Sequence, residues 1–180
     1  IREKKLGKNT LKLELQLIVP QIQFLEDTAE LIKTDWEKIG VKLDLIKLNP
    51  NDISGDVIKN RNYQALLFGN ILKNNPDIFS FWHSSEKFYP GLNLSLFQNK
   101  KADESIEKIR KEINTEKMIT EVGNLQEIIT SEQPAIFLFS PYYLYASIKN
   151  LSGLEGKSLV TPSDRFKNVN EWYLETSRVL

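Results

Sequence analysis

The sequence predicts an α/β fold with a largely parallel sheet. Strand-like alternation recurs over residues 11–19, 41–48 and 63–68, segments of helical period lie between, and the connections are short. Strand, helix, strand, helix, strand in that rhythm is the pattern of right-handed crossovers in a sheet flanked by helices.

Leu11, Leu13, Leu15 and Leu17 alternate with Lys12, Glu14 and Gln16, and Pro20 stops the run. Phe24, Leu25, Leu31, Ile32, Trp36 and Ile39 recur at helical spacing over residues 24–39. Glu26 and Asp27 suit the first turn of that helix, and Gly40 suits its C′ position. The second strand, 41–48, ends in Asn49-Pro50-Asn51-Asp52, a turn with capping residues that leads into a short helix over 53–60. Residues 63–68 make the third strand, closed by Gly69. Residues 70–101 are long and rich in Asn and Pro, yet carry Phe79, Phe81, Trp82, Phe88, Tyr89 and Phe97. A connection so aromatic is expected to pack down, with one helical turn near 78–82. Two helices follow: 102–114 on Ile106, Ile109 and Ile113, and 116–131 on Ile119, Val122, Leu125 and Ile129. Residues 135–140 read as a short buried strand between Pro134 and Pro141, and Phe166, Trp172 and Tyr173 as anchors of the tail. With no repeat and no low-complexity segment, one compact unit is expected.

Composition narrows the chemistry. The 180 residues hold 24 Lys and Arg against 24 Asp and Glu, and this balance gives no basic surplus for nucleic acid. There is no Cys, which excludes thiolate metal sites and cysteine nucleophiles, and the lone His83 excludes any site needing two histidines. No apolar run approaches the ~18 residues of a membrane helix. The chain opens at Ile1 without a basic-then-apolar leader, and its only Met is Met118, so it reads as a piece of something longer.

Phosphate-loop, dinucleotide and hydrolase motifs are absent. Glu26-Asp27 and Asp103-Glu104 are explained by the helix starts they occupy. His83, in the aromatic loop, suits a hydrogen-bonded surface group better than a ligand contact. Asn93-Leu94-Ser95 and Asn150-Leu151-Ser152 match the glycosylation tripeptide, which carries no meaning outside a eukaryotic secretory route. The aromatic loop is the best lead. Rings, scattered amides and Asp77 beyond the carboxyl end of a parallel strand compose a ligand-cleft edge. The same rings could equally fill a satellite core of their own.

The order of segments resembles the C-terminal lobe of family 5 extracellular solute-binding proteins, the oligopeptide, dipeptide and nickel receptors of ABC importers. The resemblance rests on several stretches. They are the strand–helix run 11–41 ending Ile39-Gly40-Val41, Arg61-Asn62-Tyr63-Gln64-Ala65-Leu66-Leu67-Phe68-Gly69, and Asp77-Ile78-Phe79-Ser80-Phe81-Trp82. Gly91-Leu92-Asn93 then precedes Phe97-Gln98-Asn99-Lys100-Lys101-Ala102-Asp103. Gln126-Glu127-Ile128-Ile129, Pro134-Ala135-Ile136-Phe137-Leu138-Phe139 and Arg165-Phe166-Lys167-Asn168-Val169 to Trp172-Tyr173 complete it.

The resemblance implies that residues 1–180 are one lobe of a two-lobed, periplasmic-binding-protein-like fold whose N-terminal lobe and hinge are absent here. It also implies a peptide or other small polar solute as ligand, an ABC permease as membrane partner, no cofactor, and a periplasmic or extracellular, membrane-associated location. Asn70, Lys73, Asn74, Asp77, Trp82 and Asn93 are the expected ligand-binding residues. In peptide-binding relatives the segment after the third strand supplies a Trp and, three residues on, an Asp for the peptide's α-amino group. Those places fall here on Asn70 and Lys73, or on Asn74 with a one-residue gap, and where relatives read Asp-Pro this chain has Asp77-Ile78. Lys73 would repel an ammonium. An anion, a capped or neutral compound, or a peptide held through other groups all remain open. The leading expectation is therefore a binding protein with no catalytic and no metal site. The alternative is a ligand-sensing domain of a transcription regulator. An enzyme, perhaps a hydrolase using Asp77 and His83, comes third, because nothing supplies a nucleophile, base and orienting group together.

Overall fold

The computed structural model describes residues 1–7, 9–72, 77–154, 159 and 161–175. The chain divides into two compact units, Ile1–Asn70 with Asp77–Ala135, and Ile71–Pro76 with Ile136–Leu180. This corrects the expectation of a single unit. The three buried apolar clusters of the described residues are each filled from within the first unit.

The first unit is built on a three-stranded parallel sheet of order β4-β3-β5. Strand β3 (Glu14–Pro20) lies between β4 (Lys42–Leu48) and β5 (Ala65–Leu66). The register runs from Glu14 opposite Lys42 to Pro20 opposite Leu48, with Leu17 opposite Ala65. The alternation divides cleanly between the faces. Leu15, Leu17, Val19, Leu43, Leu45 and Leu67 join one cluster with helix α1, while Ile18, Ile46, Leu48 and Leu66 join another with the helical stretch after β4. A strand covered on both faces has no polar face to show, which is why Leu17-Ile18-Val19 is continuously apolar.

The expected strand 11–19 is broken at Leu13. Residues Asn9–Lys12 form β2, antiparallel to β1 (Glu3–Leu6), and leave Leu11 exposed. The break is fixed by backbone bonds: Leu13 N–H donates to Arg2 and the Leu13 carbonyl accepts from Lys42, both at 3.0 Å.

Helix α1 (Gln23–Lys38) packs on the sheet through Leu25, Ala29, Ile32 and Trp36. Leu31 was expected on that face but is 68% exposed. The spacing 25, 29, 32, 36 follows one side of a 3.6-residue helix, and position 31 falls off it. Gly40 closes the helix at φ +81°, its N–H bonding Glu37 while Val41 N–H bonds Trp36, the paired bonds of a Schellman end.

After β4, Asn49 caps Asn51 N at 3.0 Å and Pro50 begins α2 (Pro50–Asp52). A π-helical stretch Ile53–Val57 and α3 (Ile58–Asn60) continue it, burying Ile53, Val57 and Ile58 beneath the sheet. Arg61 ends the run in the left-handed conformation at φ 53°.

The long connection carries α4 (Phe79–Trp82) and a 3-10 turn, Ser84–Glu86. Helices α5 (Lys100–Lys111) and α6 (Thr115–Glu132) pack on each other through Ala102, Ile106, Ile109, Leu125 and Ile129. Asn99, not Asp103, caps α5, its Oδ1 accepting from Lys101 N and Ala102 N. Ile113 and Ile119, expected on the apolar faces, are exposed. Ile113 lies past the end of α5, where the helical period no longer sets its direction.

In the second unit β6 (Leu151–Ser152) pairs antiparallel with β7 (Tyr173–Leu174). Between them lie 3-10 turns Pro162–Phe166 and Val169–Glu171. Gly153, at φ +85°, approaches Glu171 so closely that a Cβ would sit 2.2 Å from its carbonyl oxygen. Of the expected anchors, Phe166 and Trp172 meet at 5.7 Å between ring centres, while Tyr173 is exposed. Residues 135–140 are not a strand. Ile136, Phe137, Leu138 and Phe139 are exposed, because among the described residues no strand pairs with them.

Candidate ligand-binding loop

The loop is held from below by two residues that follow α3. The Arg61 guanidinium donates to the carbonyls of Lys87, Gly91 and Ile58, and Tyr63 Oη donates to Leu94. Burial pushes the Tyr63 hydroxyl pKa up, partly offset by the nearby Arg61 charge. Gly91 comes so close to Glu86 that a Cβ would lie 2.2 Å from its carbonyl oxygen.

Inside the loop Asn93 is fully buried, and this corrects its place among the ligand-facing residues. Its Nδ2 donates to Phe97 at 2.9 Å, His83 at 3.1 Å and Trp82 at 3.4 Å. Its Oδ1 accepts from Phe97 N at 3.0 Å and Ser95 Oγ at 3.2 Å. Every hydrogen-bonding position of the amide is engaged within the loop, so Asn93 shapes it and offers nothing outward.

Trp82 is half-buried, edge-on to Phe97 with ring centres 6.3 Å apart, in the cluster made by α5 and α6. Asp77 accepts from Phe79 N at 3.1 Å and pairs with Arg110 Nε at 3.4 Å. Arg110 in turn lies over the Phe79 ring, 4.4 Å from its centre. The other sequence-derived positions separate. Asn70 is exposed, beyond the carboxyl end of β5, and Lys73 and Asn74, with Asn75 and Pro76, lie outside the described residues.

His83 stacks on Phe79 at 4.1 Å, and its Nδ1 accepts from Ser85 N at 3.1 Å. That bond puts the proton of the neutral ring on Nε2, which is buried, has no hydrogen-bond partner, and sits 3.7 Å from Glu107 and 3.9 Å from Asp103. Asp77 is engaged by Arg110, and His83 faces Ser85 and the acids of α5, so these two do not assemble as an acid–base pair.

The aromatics thus divide between the two readings. Phe79, Trp82 and Phe97 fill a core with α5 and α6, while Phe88 and Tyr89 stay exposed. Beside Phe79 a shallow open depression of about 440 Å³ is lined by Glu107, Arg110 and Lys111. The sequence reading missed Arg61, Arg110 and Lys111. Nothing local marks Arg61 as a clamp, and the polar face of α5 does not say what it meets. Among the described residues no group of three or more His, Asp or Glu could hold a metal ion, and no helix is long and apolar enough to cross a membrane.

No family model matches the chain, and no curated protein matches it. Solved structures do. The oligopeptide-binding protein AppA from Bacillus subtilis, in complex with a nonapeptide, is 22% identical with a TM-score of 0.73, over 94% of this chain and 33% of its own. The fold is that of a family 5 solute-binding protein. NikZ from Campylobacter jejuni, in complex with Ni(L-His), matches at 22% identity and TM-score 0.68, over 94% of this chain and 36% of its own. A putative peptide binding protein AppA from Clostridium difficile matches at 16% and 0.73, over 92% and 34%. The chain spans about a third of the length of these structures. Solute-binding proteins, not enzymes, are what this fold matches.

Proposed function

We propose that the chain is one lobe of a binding protein that captures a peptide or other small polar solute for an ABC-type importer, working at the periplasmic or extracellular face of a membrane. The supporting observation is the parallel sheet with its braced aromatic loop beyond the carboxyl end of β5, in a fold shared with receptors crystallised with a nonapeptide and with Ni(L-His). Asn70, Lys73, Asn74, Asp77 and Trp82 supply this lobe's share of the solute contacts. The missing N-terminal lobe supplies the rest, and closure of the two signals the permease. Solute is bound and released unchanged. Lys73 favours an anionic, neutral or capped end over a free ammonium.

A solute on one open wall keeps part of its apolar area in water. Leaving about 100–150 Å² uncovered forfeits roughly 3 kcal/mol at ~25 cal/mol per Å², or about two orders of magnitude in affinity. The test is calorimetry on the polypeptide of the whole gene and on this chain, with tri-, penta- and nonapeptides, free and N-acetylated. The whole polypeptide should bind about 100-fold more tightly, acetylated peptides at least as well as free ones. Equal affinities would show a complete site in this lobe and end the closure reading. Failure of every peptide would end the peptide reading.

A further inference from the structure

His83 is the only histidine of the chain, and its ring stands between two sets of partners. On one side Nδ1 accepts from Ser85 N–H at 3.1 Å and so caps the turn Ser84–Glu86. On the other, Nε2 is buried with no hydrogen-bond partner. It lies 3.7 Å from Glu107 and 3.9 Å from Asp103, too far for a bond to either. Leaving a buried donor unpaired costs stability, and the solute-binding role gives this one no task. Two further charged groups face the ring. Arg110 lies over Phe79, on which His83 stacks, and Glu86 accepts from Ser85 Oγ at 3.2 Å.

Histidine is the side chain that ordinarily changes charge between about pH 5 and 8. Once protonated, Nδ1 can only donate. It then meets Ser85 N–H donor against donor, and the cap is lost. Ser85 Oγ, 2.8 Å from Nδ1, can still accept from it, but the backbone N–H has no such exchange. Nε2–H meanwhile belongs to a cation and gains a charge-assisted bond by closing the gap to Glu107 or Asp103. The cap thus goes with the neutral ring and the bond to α5 with the charged one. The capped turn is a junction of the loop. Its Glu86 carbonyl accepts from Asn93 N at 3.0 Å, and the His83 carbonyl accepts from Asn93 Nδ2. The same amide donates to Trp82, and the N–H of Phe79, the stacking partner, donates to Asp77. Trp82 and Asp77 are two of the expected solute contacts.

We propose that His83 is a proton-sensitive positioning residue of the ligand loop. Neutral, it holds the turn 84–86 and with it Trp82 and Asp77; protonated, it releases the turn, and solute is held less tightly. The effect on solute rests on the proposed binding role, whereas the opening of the loop does not. His83→Asn keeps a cap without a titrating group, as Asn49 and Asn99 accept the N–H two residues on elsewhere in this chain. His83→Ala removes the cap at every pH. The test uses the polypeptide of the whole gene and hydrogen exchange of residues 84–93 at pH 7.5 and 5.5, each rate divided by its intrinsic rate at that pH. Wild-type protection should fall about 5-fold at the lower pH, the equivalent of one lost cap. His83→Asn should hold its protection, and His83→Ala should be low at both. Calorimetry with an N-acetylated, C-amidated nonapeptide free of ionisable side chains should show the same pattern in affinity. A wild type that does not respond, or a His83→Asn variant that responds equally, overturns the proposal. So does a loop that opens without weakening a peptide that binds. A responding loop with no peptide bound upholds the proton-sensitive loop and sinks the receptor function; a bound peptide over an unresponsive loop does the reverse.

Discussion

Arg61 Nη2 donates to the carbonyl of Gly91 at 2.7 Å, tying the end of α3 to a loop residue 30 positions later. Nε of the same guanidinium donates to Lys87 at 2.8 Å, so one planar fork holds the loop at two points. Arg61 does this from a left-handed backbone at φ 53°, a conformation that costs a non-glycine residue roughly 1–2 kcal/mol. Hydrogen bonds from a charged group are each worth about 1.5–3 kcal/mol and are not additive here. We expect Arg61→Ala to lower stability by about 3 kcal/mol, a drop of roughly 6–12 °C in Tm for a chain of this size. Arg61→Gly should be the milder change by about 1 kcal/mol, because it loses the same bonds but sheds the backbone strain. Thermal unfolding of both variants checks the order. Equal stabilities would mean the strain is not stored there.

Asn93 is the second brace. Asn93→Ala leaves the carbonyls of Trp82, His83 and Phe97 short of a donor in a buried setting, at a cost of about 3 kcal/mol. Asn93→Asp should be no better, since a carboxylate oxygen would face those carbonyls where an amide now donates. A residue that only touched solute would behave differently: its Asp variant would keep the wild-type Tm and change binding alone. Chemical denaturation of the two variants decides between these roles.

Much of the sheet was legible because its physics is local. Leu15 to Val19, Leu43 to Leu48 and Ala65 to Leu67 carry the face-to-face alternation in their own order, and Gly40 announces the end of α1 by the conformation it alone adopts cheaply. The errors came where a pattern needed a partner to mean anything. Leu11 continues the alternation of β3, yet the strand breaks at Leu13 and Leu11 pairs instead with Lys4 in a hairpin. Ile136 to Phe139 read as a buried strand because they are apolar, but burial requires neighbours that the described residues do not supply.

The loop was legible as a place but not as an arrangement. Its aromatics signalled packing, and Phe79, Trp82 and Phe97 do pack. Which polar groups turn inward depended on bonds over long sequence separations. Asn93 resembled any other loop amide until the carbonyls of Trp82 and His83, eleven and ten residues earlier, closed around it.

Tyr63 gives the fold an alkaline limit. Burial raises its hydroxyl pKa above the ordinary value of 10.0, with the Arg61 charge pulling the other way. The unfolded chain therefore loses this proton at lower pH than the folded one. The stabilisation is whole below pH 10 and declines as pH climbs from there through the folded pKa. Lys47, held by Glu26 at 3.0 Å and by Glu30 at 3.4 Å, has its pKa raised as well and adds to the decline with the same sign. Tyr63→Phe should cost about 1–2 kcal/mol at pH 7 through the loss of its bond to Leu94, and should flatten part of the fall above pH 10. Urea unfolding at pH 8 and pH 10.5 compares the slopes. Identical pH dependence in the variant would remove Tyr63 as a cause.

Leu31 and Ile32 are neighbours of similar size on α1 with opposite surroundings. Ile32 packs against the cluster of Leu17, Val19, Leu43 and Leu67, whereas Leu31 is 68% exposed. Serine at either position loses a little helix propensity, a few tenths of a kcal/mol that both variants share. At 32 the change also removes buried methyl and methylene groups and sets a hydroxyl against apolar side chains, for a total of about 2–4 kcal/mol. At 31 the remaining effect stays within about 0.5 kcal/mol. Ile32→Ser should therefore lower Tm by roughly 4–16 °C and Leu31→Ser by no more than about 3 °C, measured by circular dichroism at 222 nm. Should Leu31→Ser prove as costly as Ile32→Ser, the exposed side of α1 must be covered in solution. A concentration dependence of its Tm would then show whether the cover is another copy of the chain.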